Sequence, residues 1–255
     1  MSKNVLIYGA TVTAAAIASI LKENCTVINH GYNCAYEYAD SYRADKIYES
    51  EAYSNGTKAF ISDMKSRNIL KDSFLCPLYL AGLTAKYFLD CASEFYLGCT
   101  LESVTENADG VTAVMYLNGE QITLSGSMFI DTTDYGKNRR VLFTSLFAEN
   151  KNPQILCDAE KIVRGRFESE YYLKTDVNEN ESYTDAFMRV NNMWCESLWK
   201  KLPDFRLASV ANDFAVYYDK PVTKKTDNCI IHIPSSSFAN AAESFEGGLK
   251  CVSLI

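Results

Sequence analysis

Two short polar stretches follow apolar runs and carry residues that could bind an anion. The first, Gly9-Ala10-Thr11-Val12-Thr13-Ala14, follows Val5-Leu6-Ile7-Tyr8 and opens an Ala-rich helical stretch. The N-terminus of such a helix offers free N–H groups and the positive end of the helix dipole, so an anion could bind there. The second stretch, IDTTDYG at residues 130–136, begins at the end of another apolar strand, Ser127–Ile130.

The histidines and cysteines are scattered along the chain. His30 and His232 both lie at the C-terminal ends of predicted parallel strands, so either is a candidate general base, although an isolated histidine is more commonly structural or on the surface. The nine cysteines include no CxxC pair, which favours reduced, mostly buried thiols over a metal site or disulfides. Cys34 has no charged partner beside it, and Ser235–Ser237 lacks the G-x-S-x-G context of a nucleophile. These patterns assign no catalytic residue.

The elements that must position these residues begin with a strand–turn–helix–strand unit, the arrangement of a Rossmann βαβ. Residues 33–70 are polar and rich in tyrosine, and they allow no assignment. A helix is predicted from about Leu78 to Ser93. The turns Asp109-Gly110 and Asn118-Gly119 then predict a β-meander. Its strands are predicted at Phe95–Leu97, Leu101–Glu106, Val111–Leu117 and Gln121–Leu124.

The second half of the chain has fewer clear signals. Residues 137–181 are predicted to be irregular loop and β structure with many charges. Ser182 is the predicted N-cap of a helix that Pro203 ends, and Leu207–Tyr218 is predicted to be a strand. The last elements are a strand at Cys229–Ile233 and a helix from Ala239 to about Val252. We expect this last strand to lie in the same sheet as Val5-Leu6-Ile7-Tyr8, parallel to it.

Composition limits the class of protein. Apolar residues make up 47% and charged residues 22% of the chain, which is typical of a globular protein. The formal charge of −7, with no concentrated basic surface, argues against nucleic-acid binding. No run approaches the ~18–20 apolar residues of a membrane span, so no membrane association is predicted. The N-terminus lacks a basic signal region, which predicts a cytoplasmic location.

The order of these elements resembles the two-dinucleotide-binding-domain flavoproteins, most closely the FAD-dependent oxidoreductases with a glutathione-reductase-like FAD-binding fold. In that family the strand after the meander carries a signature like I-D-A-T-G-D-G. The stretch IDTTDYG is similar to it and retains Ile130, Asp131, Thr133 and Gly136. Leu202-Pro203-Asp204-Phe205 is similar to the family's P-G-F motif after a helix. The resemblance covers most of the chain at low stringency.

The resemblance implies an α/β fold: a Rossmann-like parallel sheet of the FAD/NAD(P)-binding type, with an inserted β-meander and a small α+β cap segment. Residues 1–136 and 228–255 would form the FAD-type domain. Residues 137–227 would form the smaller substrate or cap-like segment. FAD is the implied cofactor, and no metal is implied.

The residues implied to contact FAD depart from the family's pattern. They are Gly9, Ala10, Thr11, Val12, Thr13, Ala14, Asn29, His30, Leu101, Thr133, Asp134 and Gly136. Of the G-x-G-x-x-G glycines only Gly9 is kept, and Thr11 places a β-branched side chain where the diphosphate would approach. Asn29 stands in place of the acid that takes the ribose hydroxyls, and Asp134 puts a carboxylate on the phosphate side. Leu101 falls where the family's backbone contacts the adenine, and a leucine in the core of a strand explains it equally well. These departures predict weak FAD binding or its loss.

Three functions remain open, in this order. The first is a non-catalytic or helper subunit with a degenerate FAD site, acting beside an intact flavoenzyme or in a homo-oligomer. The second is an active FAD-dependent oxidoreductase on a small molecule, with FAD bound weakly or in a site completed at an interface. The third is an NAD(P)-binding reductase-like protein, in which Gly9-Ala10-Thr11 would open a G-A-T-G loop. Val12 stands where that loop needs a glycine.

Overall fold

A computed structural model describes residues 4–156, 161–226 and 228–255. Its strands are β1 (Val5–Tyr8), β2 (Cys25–Ile28), β3 (Leu70–Lys71), β4 (Phe74–Leu75), β5 (Glu94–Tyr96), β6 (Thr100–Asn107), β7 (Gly110–Leu117), β8 (Glu120–Gly126), β9 (Met128–Asp131), β10 (Arg139–Ala148), β11 (Ile162–Arg164), β12 (Glu170–Val177), β13 (Phe205–Val210), β14 (Ala215–Tyr217), β15 (Lys224–Lys225) and β16 (Ile230–His232). Its helices are α1 (Val12–Leu21), α2 (Tyr36–Ala39), α3 (Asn55–Ser66), α4 (Leu80–Cys91), α5 (Tyr183–Met193), α6 (Trp199–Lys201) and α7 (Ala241–Cys251).

The central sheet has six strands in the order β15-β16-β9-β1-β2-β5. Adjacent strands within this sheet are parallel, except that β15 pairs antiparallel with β16. Strands β1 and β2 are short apolar runs that are almost fully buried, as expected for parallel strands covered on both faces. The C-terminal strand β16 lies parallel beside β9, one strand away from β1, so the prediction that it rejoins this sheet is confirmed.

Helix α1 packs closely against α7 because both present small side chains. A Cβ atom added to Gly248 would lie 2.4 Å from the carbonyl oxygen of Thr13 and 2.7 Å from Cβ of Ala16. Only glycine at this position allows the two helices to approach so closely. The contact fixes the position of α1, and therefore of the turn that precedes it, against the C-terminal part of the chain.

The meander is a three-stranded antiparallel sheet, β6-β7-β8, and its second hairpin turn has positive φ at Asn118 (53°) and Gly119 (85°). The prediction that Phe95–Leu97 belongs to this meander is wrong. That segment forms β5, which pairs in parallel with β2 at the edge of the central sheet. Helix α4 crosses back over the sheet, so the strand that follows it enters the same sheet in parallel.

The stretch predicted to be irregular at residues 137–181 is more ordered than expected. It supplies β10, β11 and β12, which join β13 and β14 in an antiparallel sheet. Helix α5 contributes buried Ala186 and Val190, and Ser182 is its N-cap, as predicted. The predicted strand Leu207–Tyr218 is interrupted between β13 and β14, where the backbone N–H of Ala211 donates to the carbonyl of Phe143.

These features confirm the α/β fold class with a Rossmann-like parallel sheet and an inserted meander. The division into two domains stays a prediction. Within the three described ranges, no helix has the length and apolar character required to cross a membrane.

Candidate functional site

A cleft of about 340 Å³ lies at the carboxyl ends of the central strands. The pairing register aligns Tyr8 with Ile28 on one side and with Asp131 on the other, so three strands end together at this edge. The lining includes Tyr8, Tyr36, Glu37, Asp134, Arg140 and Phe214. Ligands of open α/β sheets bind outside this end of the strands, so the cleft is the candidate site.

The first turn of the site is built on Gly9, which has a φ of 96°. An added Cβ atom would lie 2.6 Å from the hydroxyl oxygen of Thr132, so glycine is needed for both conformation and space. The Thr132 hydroxyl donates to the carbonyl of Tyr8 at 2.9 Å and accepts from the Thr11 hydroxyl at 2.8 Å. Residues of IDTTDYG therefore hold the glycine turn in place.

The N-terminus of α1 has its amide groups bonded to the protein's own side chains. The N–H of Val12 donates to Oε1 of Glu37 at 2.8 Å. The N–H of Thr13 donates to the hydroxyl of Ser235 at 3.3 Å, and that of Ala14 to the hydroxyl of Thr11 at 3.1 Å. A buried carboxylate thus lies where a helix N-terminus would otherwise accept an external anion.

Glu37 is buried, with 5% of its surface exposed. Burial raises the pKa of this carboxyl to about 7, and the hydrogen bonds from Val12 and Ser235 act in the opposite direction. The Ser235 hydroxyl donates to the same oxygen as Val12 does, Oε1, at 2.8 Å. The other oxygen, Oε2, is buried without a hydrogen-bond partner in the described chain. Oε2 of Glu37 is therefore available to accept a hydrogen bond from another donor.

Asp134, which also lines the cleft, repeats this pattern. Its Oδ2 accepts from the hydroxyl of Ser236 at 2.8 Å, and Oδ1 is buried without a partner among the described residues. Burial raises the pKa of Asp134 to about 6, while the bond from Ser236 and the charge of Arg43 lower it. The sequence predicted a carboxylate facing phosphate, and the structure places this carboxylate on the lining of the cleft.

The serine turn that serves both carboxylates is held by Arg43, which is 1% exposed. Its guanidinium donates to the carbonyls of Ser236, Phe238 and Ala239 at 3.0, 2.7 and 3.1 Å. It also forms an ion pair of 2.7 Å with Asp45. Ser235–Ser237 is a buried turn ahead of α7.

Asn29 is buried, and its side-chain amide forms hydrogen bonds with backbone groups of the protein. Its Oδ1 accepts from the N–H of Ala10 at 3.0 Å. Its Nδ2 donates to the carbonyls of Gly31 and Asn33, each at 3.0 Å. These bonds join the loop after β2 to the glycine turn. A role for Asn29 at a ribose stays a prediction.

The remaining candidate residues are divided between the cleft and other parts of the fold. His30 and Thr133 line the cleft, and the ring of His30 lies 5.0 Å from that of Tyr36. Leu101 is on the meander, packed with the apolar cluster around Leu6. Gly136 has a φ of 75° in an exposed turn.

Two candidate reactive groups outside the cofactor set have defined surroundings. Nδ1 of His232 lies 3.3 Å from Oδ2 of Asp131. The pKa of the Cys34 thiol rises to about 12 through burial and the nearby Glu37, which argues against a reactive thiolate. Eight of the nine cysteines are free, and Cys157 lies outside the described residues. In the described part of the chain, no three His, Cys, Asp or Glu side chains are grouped to hold a metal ion.

Sequence reasoning missed Glu37 and the roles of Ser235 and Ser236. Glu37 is in the tyrosine-rich stretch that allowed no assignment, and its contact with Val12 spans 25 residues. The contact of Ser235 with Thr13 spans 222 residues. The only local signal was the position of the serines directly after the last strand, at the edge where ligands bind.

The fold is shared with flavin-dependent enzymes of known structure. No protein-family model and no curated protein matches the sequence. The chain is similar in structure to p-nitrophenol 4-monooxygenase PnpA from Pseudomonas putida DLL-E4, with a TM-score of 0.61 and 9% identity over 90% of this chain and 71% of that one.

Two further similarities are comparable. The halogenase PltM gives a TM-score of 0.57 and 11% identity over 99% of this chain and 69% of its own. The anhydrotetracycline hydroxylase OxyS from Streptomyces rimosus gives 0.57 and 10% over 90% of this chain and 55% of its own. At these identities the likeness shows the fold: that of flavin-dependent monooxygenases, hydroxylases and halogenases.

Proposed function

We propose that this chain is a protein of the FAD-dependent oxidoreductase fold whose dinucleotide site is occupied by its own side chains. It acts as a non-catalytic or helper subunit, beside an intact flavoenzyme or in a homo-oligomer. The observation that carries the proposal is the hydrogen bond of 2.8 Å from the N–H of Val12 to Oε1 of Glu37. The cytoplasmic location and the identity of any partner are predictions that accompany this function.

The physical argument begins at the N-terminus of α1. In dinucleotide-binding folds the diphosphate is bound by the amides of this first turn and by the helix dipole. Here a phosphate group would have to displace Glu37 from Val12 and Ser235 from Thr13. If Glu37 stays in place and ionised, the two anions repel each other in a region of low dielectric constant.

Thr11 adds a second obstacle. A glycine at this position lets the backbone approach a diphosphate, whereas Thr11 is buried and carries a γ-methyl group and a hydroxyl. Its hydroxyl also caps α1, because it accepts from the N–H of Ala14. The residues present therefore do not fit a conventional FAD diphosphate, although the surrounding fold is that of FAD-binding enzymes.

The test is FAD binding by the purified protein, measured from its visible flavin absorbance and by calorimetry. We expect the wild type to carry little or no FAD. The variant Glu37→Ala removes the carboxylate that competes with the diphosphate. It should bind FAD at least about tenfold more tightly, because removing the repulsion between the two anions should contribute more than ~1.4 kcal/mol to the binding free energy. Glu120→Ala removes an exposed carboxylate of the meander and should leave FAD affinity unchanged.

A second candidate is an active FAD-dependent oxidoreductase acting on a small molecule. Two observations favour it: the similarity to flavin enzymes extends over 90% of the chain or more, and the pKa of Glu37 is about 7. Near neutral pH part of the Glu37 population is therefore uncharged. Stoichiometric FAD on the wild type would overturn the helper proposal and support this one. Binding of NADPH without FAD would instead support the reductase-like alternative.

A further inference from the structure

Two carboxylate oxygens of the cleft lack hydrogen-bond donors. Oε2 of Glu37 and Oδ1 of Asp134 are both buried, and neither has a hydrogen-bond partner of good geometry among the described residues. Each carboxylate uses its other oxygen to accept from a serine of the same turn. The Tyr218 hydroxyl lies close enough to Asp134 to lower the pKa of that carboxyl, and it also donates to the carbonyl of Tyr135 at 3.2 Å.

Unpartnered buried acceptors are costly, and proteins normally satisfy them. A buried carboxylate oxygen is best satisfied by a charged N–H donor, since such hydrogen bonds are roughly twice as strong as neutral ones. Both oxygens belong to residues that line one cleft. The cleft therefore lacks donors rather than acceptors, which is the opposite of a phosphate site.

The charges around the cleft favour a cation. Three acids, Glu37, Asp134 and Asp213, line it, and among the described residues its lining includes one arginine, Arg140, and no lysine. His30 also lines the cleft, and the buried guanidinium of Arg43 acts on Asp134 from behind the serine turn. The guanidinium of Arg140 is already engaged, because its Nη2 donates to the carbonyls of residues 178, 179 and 181 at 2.8–3.0 Å. It also lies 4.6 Å from the ring of Phe214.

The walls of the cleft are aromatic. Three aromatic residues, Tyr8, Tyr36 and Phe214, belong to its lining. Aromatic faces attract organic cations through their quadrupole, in addition to the contact that they give to apolar groups. A bare metal ion fits less well, since no cluster of three or more metal-ligating side chains occurs in the described ranges. An ammonium group carries three donors and a positive charge.

We propose that this cleft binds a small organic amine in its ammonium form. Glu37 Oε2 and Asp134 Oδ1 accept from the ammonium, and the rings of Tyr8, Tyr36 and Phe214 contact the organic part. The volume of about 340 Å³ lies within the range of small-molecule pockets. The inference rests on the proposed function in one respect, namely that a flavin diphosphate does not occupy the cleft.

The experiment is calorimetric titration of the purified full chain with benzylammonium chloride at about pH 8, where Glu37 is mostly ionised. Benzyl alcohol, which has the same ring without the charge, is the matched neutral probe. We expect benzylammonium to bind and benzyl alcohol to bind at least about tenfold more weakly. Equal binding of the two probes, or no binding of benzylammonium, would overturn the proposal.

Two isosteric variants test the two oxygens. Glu37→Gln retains an oxygen that accepts from Val12 and Ser235, but it can present an N–H group at the position of Oε2. Asp134→Asn likewise retains an oxygen that accepts from Ser236 and can present an N–H group at the position of Oδ1. Each should weaken benzylammonium binding by about tenfold or more. Glu120→Gln, far out on the meander surface, should not change it. Thermal unfolding of each variant checks that it is folded. Unchanged affinity in both cleft variants would overturn the assignment of these oxygens.

The two proposals can fail separately. Tight FAD binding by the wild type, with benzylammonium still bound in the absence of FAD and dependent on Glu37, would overturn the helper function and keep the amine site. Absence of both FAD and benzylammonium binding would overturn the amine site and keep the helper function.

Discussion

Glu37 and Glu246 are both buried glutamates that accept hydrogen bonds at a helix N-terminus, yet their surroundings differ. Glu246 accepts from the backbone N–H of Ser54 at 3.1 Å and from the hydroxyls of Ser54 and Thr57, both at 2.6 Å. Its second oxygen pairs with Lys250 at 3.2 Å. Among the described residues, Glu37 has two donors on one oxygen, none on the other, and no cationic partner.

The pKa values of the two carboxyls move in opposite directions. Burial alone would raise both, but the hydrogen bonds around Glu246 outweigh it and lower its pKa to about 2. For Glu37 burial dominates, and the pKa rises to about 7. The carboxylate of Glu246, with donors on both oxygens, links α3 to α7. The carboxylate of Glu37, with donors on one oxygen, keeps an unused acceptor in the candidate cleft.

The largest effect on stability is expected from Glu246→Gln. Because its folded pKa is lowered from 4.5 to about 2, the carboxylate contributes stability that is fully present above about pH 4.5 and lost as the pH falls through about 2. The variant should lower the free energy of unfolding near pH 7 by about 3 kcal/mol. Urea unfolding at neutral pH measures it, with Glu120→Gln as control.

A loss of less than ~0.5 kcal/mol for Glu246→Gln, the size of an ordinary surface substitution, would contradict the comparison. The same measurement near pH 2 should show a smaller difference, because about half of the wild-type carboxyl is protonated there in the folded state.

The second prediction has the opposite sign. The folded pKa of Glu37 lies above its unfolded value of 4.5, so the folded state binds the extra proton and stability falls as the pH rises from about 4.5 to about 7. Glu37→Gln removes this term and should raise the free energy of unfolding at about pH 8 by about 1–2 kcal/mol, less than the full linkage because a neutral amide accepts weaker hydrogen bonds.

Urea unfolding of wild type and Glu37→Gln at about pH 8 and about pH 5 measures this effect. The increase in the free energy of unfolding should nearly vanish at about pH 5, because the wild-type carboxyl is already mostly protonated there in the folded state. Equal destabilisation at both pH values would show instead that Glu37 acts as a structural cap like Glu246.

The contrast also shows what local sequence pattern could predict. The βαβ start, the meander turns at Asn118-Gly119 and the Ser182 cap depend on residues close together in the chain, and the structure has them. Glu37 could not be found this way, because its partners Val12 and Ser235 come from segments 25 and 198 residues away. The strand β5 was misassigned for a related reason: its partner, β2, is not its neighbour in sequence.

The smallest effect is expected at Thr11, which shares the N-terminus of α1 with Glu37. Its hydroxyl accepts from the N–H of Ala14 at 3.1 Å and donates to the hydroxyl of Thr132 at 2.8 Å. Thr11→Ala removes the cap and should lower the free energy of unfolding by about 1 kcal/mol, the usual cost of losing an N-cap. Thr11→Ser keeps the hydroxyl and should lose less, as urea unfolding of both variants can show. Unlike the effect of Glu37→Gln, the loss should be equal at about pH 5 and pH 8, since a hydroxyl does not titrate there. A pH-dependent loss would mean that removing the cap also moves Glu37, and that the two groups hold the helix N-terminus as one unit.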